Sequence, residues 1–274
     1  MKNKPLVVWA SDMHLNDLSS ICPPVLKRDS GHEHRSSKDV NELWRCWLDA
    51  WEVIRLRRRQ VIVVFGGEFA DTDMKDRSNH LITRNIADIK AGVMDMIEPA
   101  LKVAHAVIVL RGTEAHSGRE GDFDATIAND ITKTVISDPD TGEKARWYAR
   151  ETIGGKRFDL AHHANMGGAR RTEKDAANHI AFDLKQDYAE WGERLPDWAL
   201  RGHVHRVSDS GINYLPMRVL TAPCWSLNTS PFIHRIGGGQ RRPQIGLLVI
   251  DTGLNEPERI NYEVNRPPFH INDF

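Results

Sequence analysis

Apolar and polar positions along the chain sort it into short buried runs, polar loops and stretches of helical period. Leu6-Val7-Val8-Trp9-Ala10, bounded by Pro5 and Ser11, is a continuous apolar run rich in β-formers, the pattern of a buried strand. Val61-Ile62-Val63-Val64-Phe65 and Ala106-Val107-Ile108-Val109-Leu110 repeat it. Between these runs lie two helical patterns. From Val40, the residues Leu43, Trp47, Ala50, Trp51 and Ile54 fall three and four apart and line one face, with Trp44 beside it. From about Asn79 to Ala104, Ile82, Ile86, Ile89, Val93, Met96 and Ile97 do the same. Strand, polar loop, helix and strand in repetition indicate βαβ construction with largely parallel strands.

Further along, Phe123 to about Val135 reads as another helix, followed by the turn cluster Asp138 to Gly142. Trp147–Ile153 and Lys156–Ala161 flank Gly154-Gly155, which is a hairpin signal. A helix is expected from about Thr172 to Trp191, then strands at Trp198–Leu200, Val219–Pro223 and Ile245–Ile250. The last third is therefore rich in β structure, with hairpin-like connections expected. The polar stretch after His14, to about Asp39, has neither period and is expected to be a long loop near the site. Its His32 and His34 either supply ligands or stand in solvent.

Composition narrows the classes. At 274 residues, without a Pro/Ser-rich linker, one domain over 1–274 with a loop-plus-helix insertion at about 17–60 is the simplest organisation. A formal charge of −1 argues against holding nucleic acid by bulk electrostatics, while leaving room for a local basic groove. The run Arg55-Leu56-Arg57-Arg58-Arg59 is such a groove candidate, or simply complements a helix C-terminus. The tryptophan-rich helix before it is explained by packing alone, with base stacking as the alternative. Three scattered cysteines, Cys22, Cys46 and Cys224, make a disulfide framework improbable and point to a reducing compartment. No apolar run has signal-peptide or membrane-spanning length, so a soluble, cytoplasmic protein is expected.

The candidate chemistry sits where the apolar runs stop. Asp12 and His14 follow the first, Glu68 follows the second across Gly66-Gly67, and Glu114 with His116 follow the third. His162 with His163, and His203 with His205, follow later strands. Any one of these is equally an N-cap acid or an ordinary loop histidine. Five strand ends in succession are not explained that way. Imidazoles and carboxylates without thiolates suit Mn, Fe, Zn or related divalent ions. Seven candidate ligands exceed the need of one tetrahedral ion and favour two ions sharing a carboxylate, about 3.5–4 Å apart.

The ordered pattern resembles the calcineurin-like metallophosphoesterase superfamily, whose blocks are DxH, GDxxD, GNH[DE], a lone H after a strand, and GHxH. Asp12-Met13-His14 matches the first, His162 after Asp159-Leu160-Ala161 the fourth, and Gly202-His203-Val204-His205 the last. The chain beyond about Asn255 lies outside these blocks. In the second block, Gly67-Glu68-Phe69-Ala70-Asp71 puts Glu where the family has its metal-bridging Asp, keeping the charge and adding about 1.5 Å of reach. In the third, Gly112-Thr113-Glu114-Ala115-His116 replaces the family's Asn-His, with Thr113 in the Asn register.

The resemblance implies a four-layer α/β/β/α sandwich of two mixed sheets flanked by helices, and a metal-dependent phosphoesterase, foremost a phosphodiesterase, using a metal-activated water. It implies Asp12, His14 and His205 on a first ion, Glu68 bridging, and Glu114, by a local shift, with His162 and His203 on a second. His116 is then the expected catalytic histidine, oriented by Asp71, with His163 behind the ligands and Arg170 and Arg171 within reach of a phosphate. The ions are expected to be Mn first, with Fe, Zn, Ni or Mg as alternatives. The partner is a phosphoester substrate, nucleic acid included, and no membrane. The altered second and third blocks raise one alternative, a catalytically weakened metal-binding scaffold. The arginine run raises another, a nuclease.

Overall fold

The computed structural model describes residues 4–72, 80–164, 175–227, 244–254 and 257–264. In chain order the strands are β1 (Leu6–Ala10), β2 (Val25–Lys27), β3 (Glu33–Arg35), β4 (Val61–Phe65), β5 (Ala106–Leu110), β6 (Ala145–Arg146), β7 (Tyr148–Ile153), β8 (Lys156–Ala161), β9 (Trp198–Arg201), β10 (Arg218–Thr221), β11 (Ile245–Asp251) and β12 (Pro257–Tyr262). The helices are α1 (Lys38–Leu56), α2 (Ile86–Val103), the single turn α3 (Glu114–Ser117), α4 (Asp122–Asp130) and α5 (Ala176–Glu190).

Two mixed sheets form. The first runs β12-β11-β1-β4-β5-β6 and the second β10-β9-β8-β7. Strands β1, β4, β5 and β6 are parallel, with β11 and β12 antiparallel at one edge. Because side chains alternate along a strand, each sheet presents two faces, and three separate cores record them. Val8, Val63, Val107 and Leu247 pack against Trp47, Trp51, Met96 and Ile127 of the helices. Val7, Trp9, Val64 and Ile108 pack against Phe158, Leu160, Trp198 and Leu200 of the second sheet. Ala199 and Val219, from the outer face of that sheet, pack against Ile180 and Leu184 of α5. Helix, sheet, sheet, helix is the four-layer order that the resemblance implies.

Several elements differ from the sequence reading, each for a local reason. Helix α2 begins at Ile86 rather than near Asn79, because Ile82 N donates to Asn16 O (2.8 Å) and Asn85 caps the helix by accepting from Ala87 N (2.9 Å). Helix α4 stops at Asp130, and the residues after it join the sheet: Val107 N donates to Thr134 O and Ile136 N to Val107 O. The polar stretch after His14 holds the antiparallel ribbon β2–β3. Strands β9 and β10 are parallel, not a hairpin, so the segment between them crosses over and carries His203 and His205 past the sheet edge. The start of the expected helix at Thr172, Arg170 and Arg171 lie outside the described residues.

Three of the four arginines in the run are paired with acids, and Arg58 is exposed. Arg55 pairs with Glu52 (2.5 Å), Arg57 with Glu258 (2.5 Å) and Arg59 with Asp251 (3.1 Å), which offsets most of the positive charge at the helix end. Cys22, Cys46 and Cys224 are free thiols. Among the described residues no helix is long and apolar enough to cross a membrane.

Candidate metal centre

Loops leaving β1, β4, β5, β8 and β9 meet at one end of the two facing sheets. The segments after β1 and β4 continue side by side beyond the strands: Asp12 N donates to Gly67 O, His14 N to Glu68 O and Leu15 N to Phe69 O. This continuation fixes Asp12, His14 and Glu68 next to one another before their side chains are considered. Gly67 (φ 92°) has no room for a side chain, since a Cβ there would lie 2.8 Å from Gly112 N. The close approach of the β4 and β5 loops depends on it. Below the centre, Arg201 Nη2 donates to Asp159 Oδ1 at 2.7 Å, both groups buried, tying β8 to β9 just before His162 and His203.

The side chains converge in two groups. Ligand atoms of Asp12, His14, Glu68 and His205 lie within 4.8 Å of one another, as do those of Glu68, His162 and His203. Glu68 belongs to both. Its Oε2 is 3.1 Å from His14 Nε2 and its Oε1 is 3.3 Å from His162 Nε2. His205 Nε2 lies 3.2 Å from Asp12 Oδ1 and 3.1 Å from His14 Nε2. Asp12 is held in turn, its Oδ1 accepting His203 N (2.9 Å) and its Oδ2 accepting the Ser11 hydroxyl.

His162 tests whether a cation suits this place. Its Nδ1 is 2.6 Å from the Gly66 carbonyl oxygen, which only accepts, so Nδ1 carries the proton. The neutral ring then turns the lone pair of Nε2 toward Glu68, and Nε2 is buried without a hydrogen bond. A lone pair facing a carboxylate in a fully buried pocket is costly unless a proton or a metal cation stands between them. Without a metal the proton stays: burial opposes charge, but Glu68, Asp12 and the Gly66 carbonyl outweigh it and raise His162 to about 9. Burial likewise pushes Glu68 upward, yet the imidazoles of His162 and His14 hold its carboxyl well below the usual range. Asp12 follows the same balance, with burial opposed by His205 and His162 and its carboxyl lowered. The donor set fits divalent cations.

The backbone agrees. Asp12 (φ 55°), His14 (48°), Glu68 (58°), His203 (67°) and His205 (59°) all adopt the left-handed region, where a non-glycine residue costs roughly 1–3 kcal/mol. Only three other non-glycine residues do so among the described ones, Asn16, Arg58 and Glu120. Such strain persists where surrounding structure imposes it.

His116 stands at the edge of the first group, its ring 4.6 Å from that of His14 and its Nδ1 3.3 Å from Asp71 Oδ2. Burial opposes its charge, but the Asp71 hydrogen bond and the Glu68 carboxylate outweigh burial and raise its pKa. Thr72 donates to the His116 carbonyl through both N and Oγ1, pinning the two segments. Glu114 is the exception to the expected set. It is exposed on the first turn of α3 and belongs to neither group. The cause lies one residue earlier: Thr113 N (3.3 Å) and Thr113 Oγ1 both donate to Glu68 Oε1. That fixes Thr113 facing the centre, and the local shift expected for Glu114 does not occur. His32 and His34 also lie outside both groups, and His163 is exposed beside His162 and His203 (ring centroids 5.3 and 6.0 Å).

Asp124 escaped the sequence reading. Fully buried at the start of α4, its Oδ2 accepts Gly112 N (2.7 Å) and Glu68 N (3.2 Å) and its Oδ1 accepts Phe69 N (3.3 Å). It therefore joins the loops after β4 and β5 behind Glu68. Burial raises its pKa against these backbone donors. Its only signal in the sequence is an acid beside Phe123 on the inward side of a helix start, which also describes a cap.

No known family model matches the sequence, and no curated protein matches it. Solved structures are similar at low identity. Vps29 of Entamoeba histolytica, in complex with Zn2+, is 14% identical with a TM-score of 0.43, covering 93% of this chain and 98% of that one. Vacuolar protein sorting 29 of Cryptosporidium parvum is 13% identical with a TM-score of 0.43, covering 97% and 100%. A 5'-nucleotidase precursor of Thermus thermophilus is 14% identical with a TM-score of 0.39, covering 94% of this chain and 54% of that one. The layered architecture is carried by the three cores, independently of these likenesses.

Proposed function

We propose that the protein is a metal-dependent phosphoesterase, acting on phosphodiesters ahead of monoesters, with two divalent cations shared through Glu68. Asp12, His14, Glu68 and His205 would hold the first and Glu68, His162 and His203 the second. The observation that carries this reading is the membership of Glu68 in both convergent groups, together with the buried, inward-facing Nε2 of His162, 3.3 Å from Glu68 Oε1. Bound there, two cations would supply Lewis acidity, polarising a phosphoryl oxygen and acidifying a water.

The chain's own residues supply the rest. Four histidines and two carboxylates give a donor set of low net charge, so an anionic phosphate is not repelled once cations are held. His116, whose pKa the Asp71 hydrogen bond and the Glu68 carboxylate raise against burial, is placed to donate a proton to the departing alkoxide. Asp71 sets its ring and tautomer through the 3.3 Å contact. Thr113 Oγ1 donates to Glu68 Oε1, restraining the longer side chain that stands where the family has Asp.

The test is turnover of bis-p-nitrophenyl phosphate and p-nitrophenyl phosphate by Mn-loaded protein, beside a His203→Ala control. Turnover of the diester above the monoester, lost in the control, is expected. Two ions bound per chain with neither ester hydrolysed would refute the enzyme reading in favour of a metal-binding scaffold.

A further inference from the structure

Beside the second group the surface carries a run of exposed rings that the proposed chemistry does not use. Trp147 is 44% exposed at the point where the chain leaves β6 in one sheet and enters β7 in the other. Its ring lies 5.9 Å from that of His163, which lies 6.0 Å from that of His203. The track therefore leads from a solvent-facing indole to a candidate ligand. Trp147 is also braced: the Arg111 guanidinium sits 5.8 Å from its ring centroid. Arg111 is itself fixed by Glu120 O (2.8 Å), Ala145 O (3.2 Å) and Glu143 (3.3 Å).

An indole held at a rim by an anchored cation costs free energy to keep in water and gains most by stacking on a flat, electron-poor ring. Resting on the phosphoesterase reading, we infer that Trp147 and His163 form a stacking platform for a nucleobase of the substrate whose phosphate lies at the Glu68, His162 and His203 group. The platform selects for a base as such, since every base offers a π-face. A free nucleotide and a single strand share that chemistry.

Two paired comparisons test it on the full-length, Mn-loaded protein. Thymidine 5'-(p-nitrophenyl phosphate) and methyl p-nitrophenyl phosphate share leaving group and diester and differ in the nucleoside. Adenosine 5'-monophosphate and ribose 5-phosphate, titrated by calorimetry, differ in the base alone. Wild type should favour the base-bearing member of each pair by ~10-fold or more. Trp147→Ala should bring both ratios close to one, and Trp147→Phe, which keeps a ring, should retain most of each. A short oligoadenylate that binds more tightly than the mononucleotide would identify a strand as the ligand, and equal affinity a free nucleotide. Ratios near one in wild type, or ratios unchanged in Trp147→Ala, overturn the inference. Should neither ester turn over, the phosphoesterase reading fails, and the calorimetric pair still decides whether the platform binds a base.

Discussion

Replacing Asp124 tests whether the candidate centre is built by its own surroundings or only by its ligands. Its carboxylate accepts three backbone N–H groups, from Gly112, Glu68 and Phe69, in a fully buried position. In Asp124→Asn the amide oxygen can keep the two donors now on Oδ2, while the amide nitrogen must face Phe69 N–H. One hydrogen bond is lost and one buried donor is left unmet, for a cost of about 1–3 kcal/mol. In Asp124→Ala all three donors are abandoned, and the cost rises to about 3–6 kcal/mol. Because two of the donors belong to residues 68 and 69, the loss falls on the segment that carries the shared carboxylate. Urea denaturation of the metal-free protein reads the stability, and calorimetric Mn titration reads the centre. The expected result is graded destabilisation, Ala beyond Asn, with weakened binding at both groups because both contain Glu68. An Asp124→Ala protein as stable as wild type, binding two ions unchanged, would refute the account of how Glu68 is placed.

Other outcomes follow from the same geometry. His162, raised to about 9 without metal, stabilises the metal-free fold fully below its ordinary value near 6.5, and that contribution is lost as pH rises through about 9. A metal must displace this proton, so Mn affinity should climb about tenfold per pH unit from near pH 7 toward pH 9, with proton release visible in buffers of different ionisation heat; a flat profile contradicts it. Glu114→Gln should leave the number and affinity of bound Mn ions unchanged by calorimetry, since Glu114 lies outside both groups, and loss of one ion would restore it as a ligand. Asp71→Asn removes an anionic partner of His116, so the basic limb of the pH–rate profile for bis-p-nitrophenyl phosphate should move to lower pH. An unmoved limb would detach His116 from proton donation.

Much of this arrangement was legible because the inner strands are buried on both faces. Leu6–Ala10, Val61–Phe65 and Ala106–Leu110 appear in the structure with the bounds that their apolar runs predict, and a run that ends abruptly marks the place where a side chain meets a cleft. Edge structure was less legible. Strand β6 has two residues, and β12 is half-exposed along its length, so neither leaves an apolar run. The crossover between β9 and β10 is set by their parallel pairing with each other, a tertiary choice with no local signature. Asp124 was hidden for a different reason, since it acts through backbone partners on two other loops, and Thr113, legible as the residue in the Asn register, acts through the Glu68 carboxylate. Glu114 was drawn toward the centre by its charge, whereas hydrogen bonding at Thr113 decides which side chain faces inward.

The left-handed backbone at Asp12, His14, Glu68, His203 and His205 places function and durability in opposition. Glycine adopts that region without steric penalty, so exchanging exposed His203 for glycine should raise the melting temperature of the metal-free protein while removing one candidate ligand. Selection for ruggedness alone would erode the cluster from this histidine inward.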